Sequence, residues 1–114
     1  AQKARSTFNA QLSQVMERHD LLIAPSVPTG APRIDETHMD VAGQRVNAPS
    51  LMSRLTRPFN LCGYPAVSVP CGFTRLGMPI GMQIAARPFE DAAVLRAAHA
   101  YEQATEWHTR KPAI

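Results

Sequence analysis

Apolar positions recur along this chain in more than one period, and each period marks a different kind of element. From Gln2 to His19 the residues Ala4, Phe8, Leu12, Val15 and Met16 fall three or four positions apart, with Lys3, Arg5, Gln11, Gln14, Glu17 and Arg18 between them. That spacing lines one side of a helix, so an amphipathic helix is expected over 2–19. Past Asp20, the run Leu21 to Ala24 is short, unbroken and closed by Pro25, which suits a buried strand. The stretch from Val27 to Pro49 has little period and holds Pro28, Gly30, Pro32 and Gly43. It reads as one long loop, of the kind that usually serves a site or a partner.

A second helix is expected through Leu51, Met52, Leu55, Phe59 and Leu61, capped by Ser50 and stopped by a left-handed Gly63. Pro58 inside it should produce a kink, because proline removes one backbone donor and crowds the preceding turn. Ala66 to Val69 reads as a strand ended by Pro70, and Pro79 to Ala85 as a neighbour joined to it by a short turn. A last helix should begin near Glu90 and Asp91, acids that complement a helix N-terminus, and run through Val94, Leu95, Ala98, Tyr101 and Glu102 towards Trp107. Its apolar stripe should face the sheet, with Tyr101 and Trp107 in the core. The order of helix, strand, loop, helix, two strands and helix places the chain in the α/β or α+β class.

Composition narrows the functional classes. Apolar residues make up 45% and charged residues 18% of the 114, a balance that supports a folded domain rather than a disordered chain. The net charge of +3 comes from scattered arginines without a dense basic block, which argues against a nucleic-acid partner. No apolar run approaches the roughly 18 residues of a membrane span, so no membrane partner is expected and a cytoplasmic setting is. Cys62 and Cys71 lie in apolar surroundings, as reduced structural thiols do, and His19, His38, His99 and His108 are dispersed, so no metal site or cofactor is expected. The sequence does not begin with Met, which suggests excision from something longer.

The segment from Leu55 to Phe73 contains Asn60-Leu61-Cys62-Gly63-Tyr64-Pro65-Ala66, followed by Ser68-Val69-Pro70-Cys71-Gly72. It resembles the closing part of amidase-signature enzymes, where Asn-x-x-Gly-x-Pro-Ala precedes Ser-x-Pro-x-Gly. Three further segments are similar in the same order: Asp20 to Pro25 with Pro28-Thr29, Gly77 to Ile84, and the helix Leu95 to Gln103. The resemblance implies an α/β fold, with residues 1–114 forming a single C-terminal segment of a larger amidase domain whose mixed sheet is flanked by helices. It also implies hydrolysis or transfer of linear amide nitrogen through a Ser, a second Ser with a cis peptide bond, and a Lys. The bridging Ser and the Lys supply a base for a weakly acidic hydroxyl, and fixed backbone N–H groups stabilise the tetrahedral charge.

No Gly/Ser-rich run with paired serines occurs in these 114 residues, and the lysines are Lys3 and Lys111, both in polar terminal stretches where nothing would desolvate an ammonium. No catalytic residue is therefore assigned. Ser50, Ser53 and Arg57 fall at i, i+3 and i+7 and would share one helix face. The resemblance places this stretch on the acyl-side wall of the substrate pocket; the plainer alternatives are a cap at Ser50 and solvated surface at Arg57. In the glutamine-using amidotransferases of this family an Asp stands near the position of Ser53, and its absence argues against free glutamine as ammonia donor. Asn60 could brace backbone groups freed by Pro58 or touch substrate. Gln83, polar in an apolar strand, needs a hydrogen-bond partner if buried, and bracing is favoured over binding. Cys71 precedes Gly72 at a strand end but has no His or acid at a suggestive spacing.

The expected function is thus the structural and pocket-forming portion of an amidase that takes a small-molecule amide, inactive by itself. The alternative is a non-catalytic module that self-associates, as a homo-oligomer, through surface the catalytic part would otherwise cover.

Overall fold

The computed structural model describes residues 2–112. The first helix, α1, spans Gln2–Met16 and ends three residues before the spacing suggested. Strand β1 (Leu22–Pro25) follows, then a hairpin of β2 (His38–Val41) and β3 (Gln44–Asn47). Two short helices, α2 (Ala48–Met52) and α3 (Arg57–Cys62), lead to β4 (Ala66–Phe73) and β5 (Pro79–Ala85). Helix α4 (Asp91–Ala104) and a single 3-10 turn, Trp107–Thr109, complete the described chain. The architecture is α/β, with a three-stranded sheet in the order β1-β5-β4 and a separate β2-β3 pair, antiparallel throughout.

Helices lie on both faces of the larger sheet because its strands are apolar on both sides. On one face Val69 and Ile84 pack with Ala98 of α4, flanked by Val67, Met82 and Tyr101. On the other, Ala85 packs with Met16 of α1, Phe59 and Cys62 of α3, and Tyr64. Tyr64 Oη also hydrogen-bonds Ser13 Oγ at 3.0 Å, tying α1 to the α3–β4 connection. Arg87, just beyond β5, donates to the carbonyl of Met16 (3.1 Å) and to the carboxylates of Glu90 (3.2 Å) and Asp20 (3.4 Å). Its hydrogen bond to Glu90, with that residue's charge and Asp20's outweighing the opposing desolvation, raises the guanidinium pKa above its ordinary value.

Several elements depart from the sequence expectation, each for a local reason. Residues 27–49 are not one loop: β2 and β3 pair with His38 opposite Asn47 and Val41 opposite Gln44. The turn between them is Ala42-Gly43, with φ of 50° and 77°, the double left-handed conformation that matches strand twist in a two-residue hairpin. The helix after it is capped by Asn47, whose side chain accepts from the Ser50 N–H at 3.0 Å, so Ser50 is not the cap. Pro49 then sits in the first turn, where its missing N–H costs nothing.

The expected kink at Pro58 is a complete break. Pro58 occupies the first turn of α3, which makes it a start signal for a new helix rather than an interior irregularity. Gly63 closes α3 in the left-handed conformation, φ 71°, as its position suggested. Strand β4 continues through Pro70 to Phe73, accommodated by a register shift between Pro70 and Gly72. Strand β1 lies at the sheet edge and is not buried; Ile23 is 63% exposed. Tyr101 and Trp107 are half-buried rather than core.

Candidate functional site

Directly opposed residues share a sheet face, and the register places Ala24, Gln83 and Ser68 side by side across β1, β5 and β4. Gln83 is the one charged or amide side chain carried by β5, and it is 3% exposed. Its Nε2 donates to the carbonyl of Pro25 at 2.9 Å and to that of Leu55 at 3.0 Å. Both amide hydrogens are thereby used, one on the edge strand and one on the connection between α2 and α3. Beside it, the hydroxyls of Ser26 and Ser68 hydrogen-bond each other, and the Ser26 N–H donates to the carbonyl of Gly81 at 2.9 Å.

Helix α3 crosses this face and leaves a cleft of about 130 Å³ between itself and β4. Thr56, Phe59 and Asn60 form one side, Ala66, Val67 and Ser68 the other, and Gln83 belongs to both. Asn60 is exposed and lines the cleft, and among the described residues its side chain makes no hydrogen bond. Ser53 and Arg57 stand together at the N-terminal approach to α3: Arg57 Nη2 donates to Ser53 Oγ at 2.7 Å, and that hydroxyl donates to the carbonyl of Pro49 at 3.0 Å. The break after α2 therefore preserves the Ser53–Arg57 neighbourhood. Ser50 remains on α2, exposed, and meets Ser53 only through its own carbonyl at 3.3 Å.

The lining holds hydroxyls, amides and apolar groups, and no acid, Lys, His or Cys. Such a set can orient a polar ligand but supplies neither nucleophile–base pair nor metal ligand. Among the described residues no group of three or more His, Cys, Asp or Glu is placed to hold a metal ion, and Cys62 and Cys71 are both free thiols. The cleft also holds or adjoins Ser26, Thr56 and Ser68, none of them a candidate from sequence. Ser68 could have been, since it alternates with Val67 and Val69 and so had to face away from the α4 core. Ser26 carries no such signal, because its partner lies 42 positions away.

A family model described as Amidase matches residues 1–95, most of the chain. The chain belongs to the amidase family. Over its full length it is 43% identical to the A component of the glutamyl-tRNA(Gln) amidotransferase of Geobacillus kaustophilus, and it covers 22% of that polypeptide. Among solved structures it is similar to an amidase, with a TM-score of 0.81 and 27% identity over 88% of this chain and 23% of that one. It is likewise similar to a 6-aminohexanoate cyclic dimer hydrolase, with a TM-score of 0.76 and 34% identity over 95% of this chain and 24% of that one. The 114 residues span 22% of the curated relative's length, and the matched parts cover under a quarter of each of the two solved chains.

Proposed function

We propose that residues 1–114 form the C-terminal, pocket-building segment of an amidase-signature enzyme that hydrolyses linear amides. The chemistry belongs to a Ser–cis-Ser–Lys triad outside these residues. In this reading Ser50, Ser53 and Arg57 contribute one wall of the substrate pocket and Gln83 holds that wall to the sheet, while Asn60, expected as a second brace, is exposed at the cleft without a bracing hydrogen bond among the described residues. A small amide is the substrate, and no cofactor or metal takes part. A cytoplasmic setting is part of the same reading, supported by the two free thiols.

The observation that carries it is the family match over residues 1–95 combined with a cleft that has binding groups and no base. The test compares the isolated segment with the full-length polypeptide that contains it, following ammonia or amine release from simple amides. The segment should be silent and the full-length protein active. Turnover by the segment that disappears in Cys71→Ala would overturn the assignment.

A second reading, self-association of a non-catalytic module, is favoured by one specific observation. Phe8 is 40% and Leu61 55% exposed, and both line an apolar groove between α1 and α3, while Ile23 leaves the β1 edge open. Sedimentation of the isolated segment separates the two: a dimer that buries Phe8 supports the module, and a monomer opposes it.

A further inference from the structure

No charged side chain lines the cleft between α3 and β4, and its hydrogen-bonding groups are not equivalent. Gln83, buried on the sheet side, spends both amide hydrogens on the carbonyls of Pro25 and Leu55. Two carbonyl neighbours leave no choice in the orientation of this amide, since a flip would set oxygen against oxygen. At its other end, among the described residues, nothing donates to Oε1, and this oxygen is not sealed from solvent. It therefore opens on the space that Gln83 lines, as a fixed acceptor with free lone pairs.

Thr56 repeats the pattern. Its hydroxyl donates to the carbonyl of Ser53 at 3.3 Å, so its oxygen keeps acceptor capacity only. Asn60 brings the complement: among the described residues its side chain is free, with two N–H donors and an acceptor at the cleft. Acceptors that have no hydrogen left to give oppose a carboxylate. A cation meets no carboxylate in the lining, and every lining residue comes from the stretch between Asp40 and Glu90, which holds five arginines and no acid. A primary carboxamide is neutral and satisfies all three residues. Its N–H groups match Gln83 Oε1 and Thr56 Oγ1, and its carbonyl matches the Asn60 amide.

We infer that this cleft is a specificity subsite for an unreactive primary carboxamide carried by the substrate, with Gln83, Thr56 and Asn60 as its specificity residues. That group is held and not cleaved there, because the lining supplies no nucleophile–base pair. Phe59, Ala66 and Val67 give the methylenes behind it an apolar wall. At about 130 Å³ the cleft is well below the roughly 300 Å³ at which sites for drug-sized ligands begin, so it takes one small end group. The inference rests on the amide-hydrolase reading above and adds to it that the substrate bears a second amide.

The test uses the full-length polypeptide and three sets of N-methylamides, from the malonic to the adipic chain length, ending in a carboxamide, a carboxylate or an isopropyl group in the carboxamide's place. Methylamine release reports cleavage at the N-methylamide alone. At one chain length or more, the wild type should favour the carboxamide over both others by about ten- to a hundred-fold in kcat/KM, as two or three neutral hydrogen bonds would give. Asn60→Ala, at an exposed position, should narrow that preference by about three- to ten-fold, and Thr56→Val should narrow it similarly. Either variant carries the test if the other does not fold. Methylamine release with no preference at any length, or a preference that the folded variants leave intact, overturns the inference alone. Release of ammonia but never methylamine makes the carboxamide the reacting group and also overturns it alone. A wild type that turns over no linear amide overturns the hydrolase reading and the inference with it.

Discussion

The side-chain amide of Gln83 reaches the carbonyl of Leu55 at 3.0 Å, joining the middle of the sheet to the non-helical link between α2 and α3. Because the same nitrogen also serves Pro25, one buried side chain sets the distance between the edge strand, the central strand and the helix that walls the cleft. Replacing it by Leu would keep the volume but leave two carbonyls without their donor. Gln83→Leu is therefore expected to cost about 1–3 kcal/mol in urea unfolding. Gln83→Glu should cost more, since a carboxylate offers the two carbonyl oxygens no N–H.

Gly81 makes the serine pair beside Gln83 sterically feasible. A Cβ at this position would lie 2.9 Å from Ser26 Oγ, 3.0 Å from Ser68 Oγ and 3.1 Å from Ser26 Cβ. Gly81→Ala should destabilise by about 1–3 kcal/mol through overpacking. Adding Ser26→Gly removes two of the three close atoms, so the double variant should recover part of that loss. Simple additivity of the two destabilisations in a double-mutant cycle would show that the crowding is not the cause.

How much of this is legible in the sequence depends on whether the signal is local. The helix α4 start, the Gly63 stop and the β4–β5 hairpin follow from residues adjacent in sequence, and all three are present. Gln83 is conspicuous as the amide in an apolar strand. The hairpin at residues 38–47 is hidden because Pro28, Pro32 and Gly43 suggest a loop, although Met39, Val41 and Val46 alternate around a two-residue Ala-Gly turn. Pro58 reads as an interruption when its physical chemistry equally suits a first turn, and that ambiguity decides between one bent helix and two. The contacts that shape the cleft, Ser26 with Ser68 and Gln83 with Leu55, span 42 and 28 positions and have no local signature.

Arg87 offers a prediction whose sign follows from its neighbours. Glu90 and Asp20 raise its pKa in the folded state, so its contribution to stability is fully present at neutral pH and is lost only as strongly alkaline solution deprotonates it. Stability attributable to Arg87 should accordingly be level across the neutral and mildly alkaline range. Arg87→Met should remove the donor to the Met16 carbonyl as well as both ion pairs. Hydrogen exchange should then accelerate at the C-terminal turn of α1, before any change in α4.

The Ala42-Gly43 turn is strained on one side only. Gly43 at φ 77° is in a conformation that glycine adopts freely, whereas Ala42 at φ 50° carries a Cβ in the left-handed region. Asparagine tolerates that region better because its side chain can bond to the nearby backbone, and Asn-Gly is the preferred pair in this type of turn. Ala42→Asn should therefore stabilise the β2–β3 hairpin by about 0.5–1 kcal/mol. Gly43→Ala should destabilise it by a similar amount, even though its Cβ would meet no atom within 4 Å, because the cost is conformational rather than steric crowding. Since Asn47, which ends β3, caps α2, hairpin stability should pass into the helix that positions Ser53. Thermal unfolding followed at both elements checks this: the two substitutions should move both transitions in opposite directions, and a shift confined to the hairpin would show that the Asn47 junction does not transmit it.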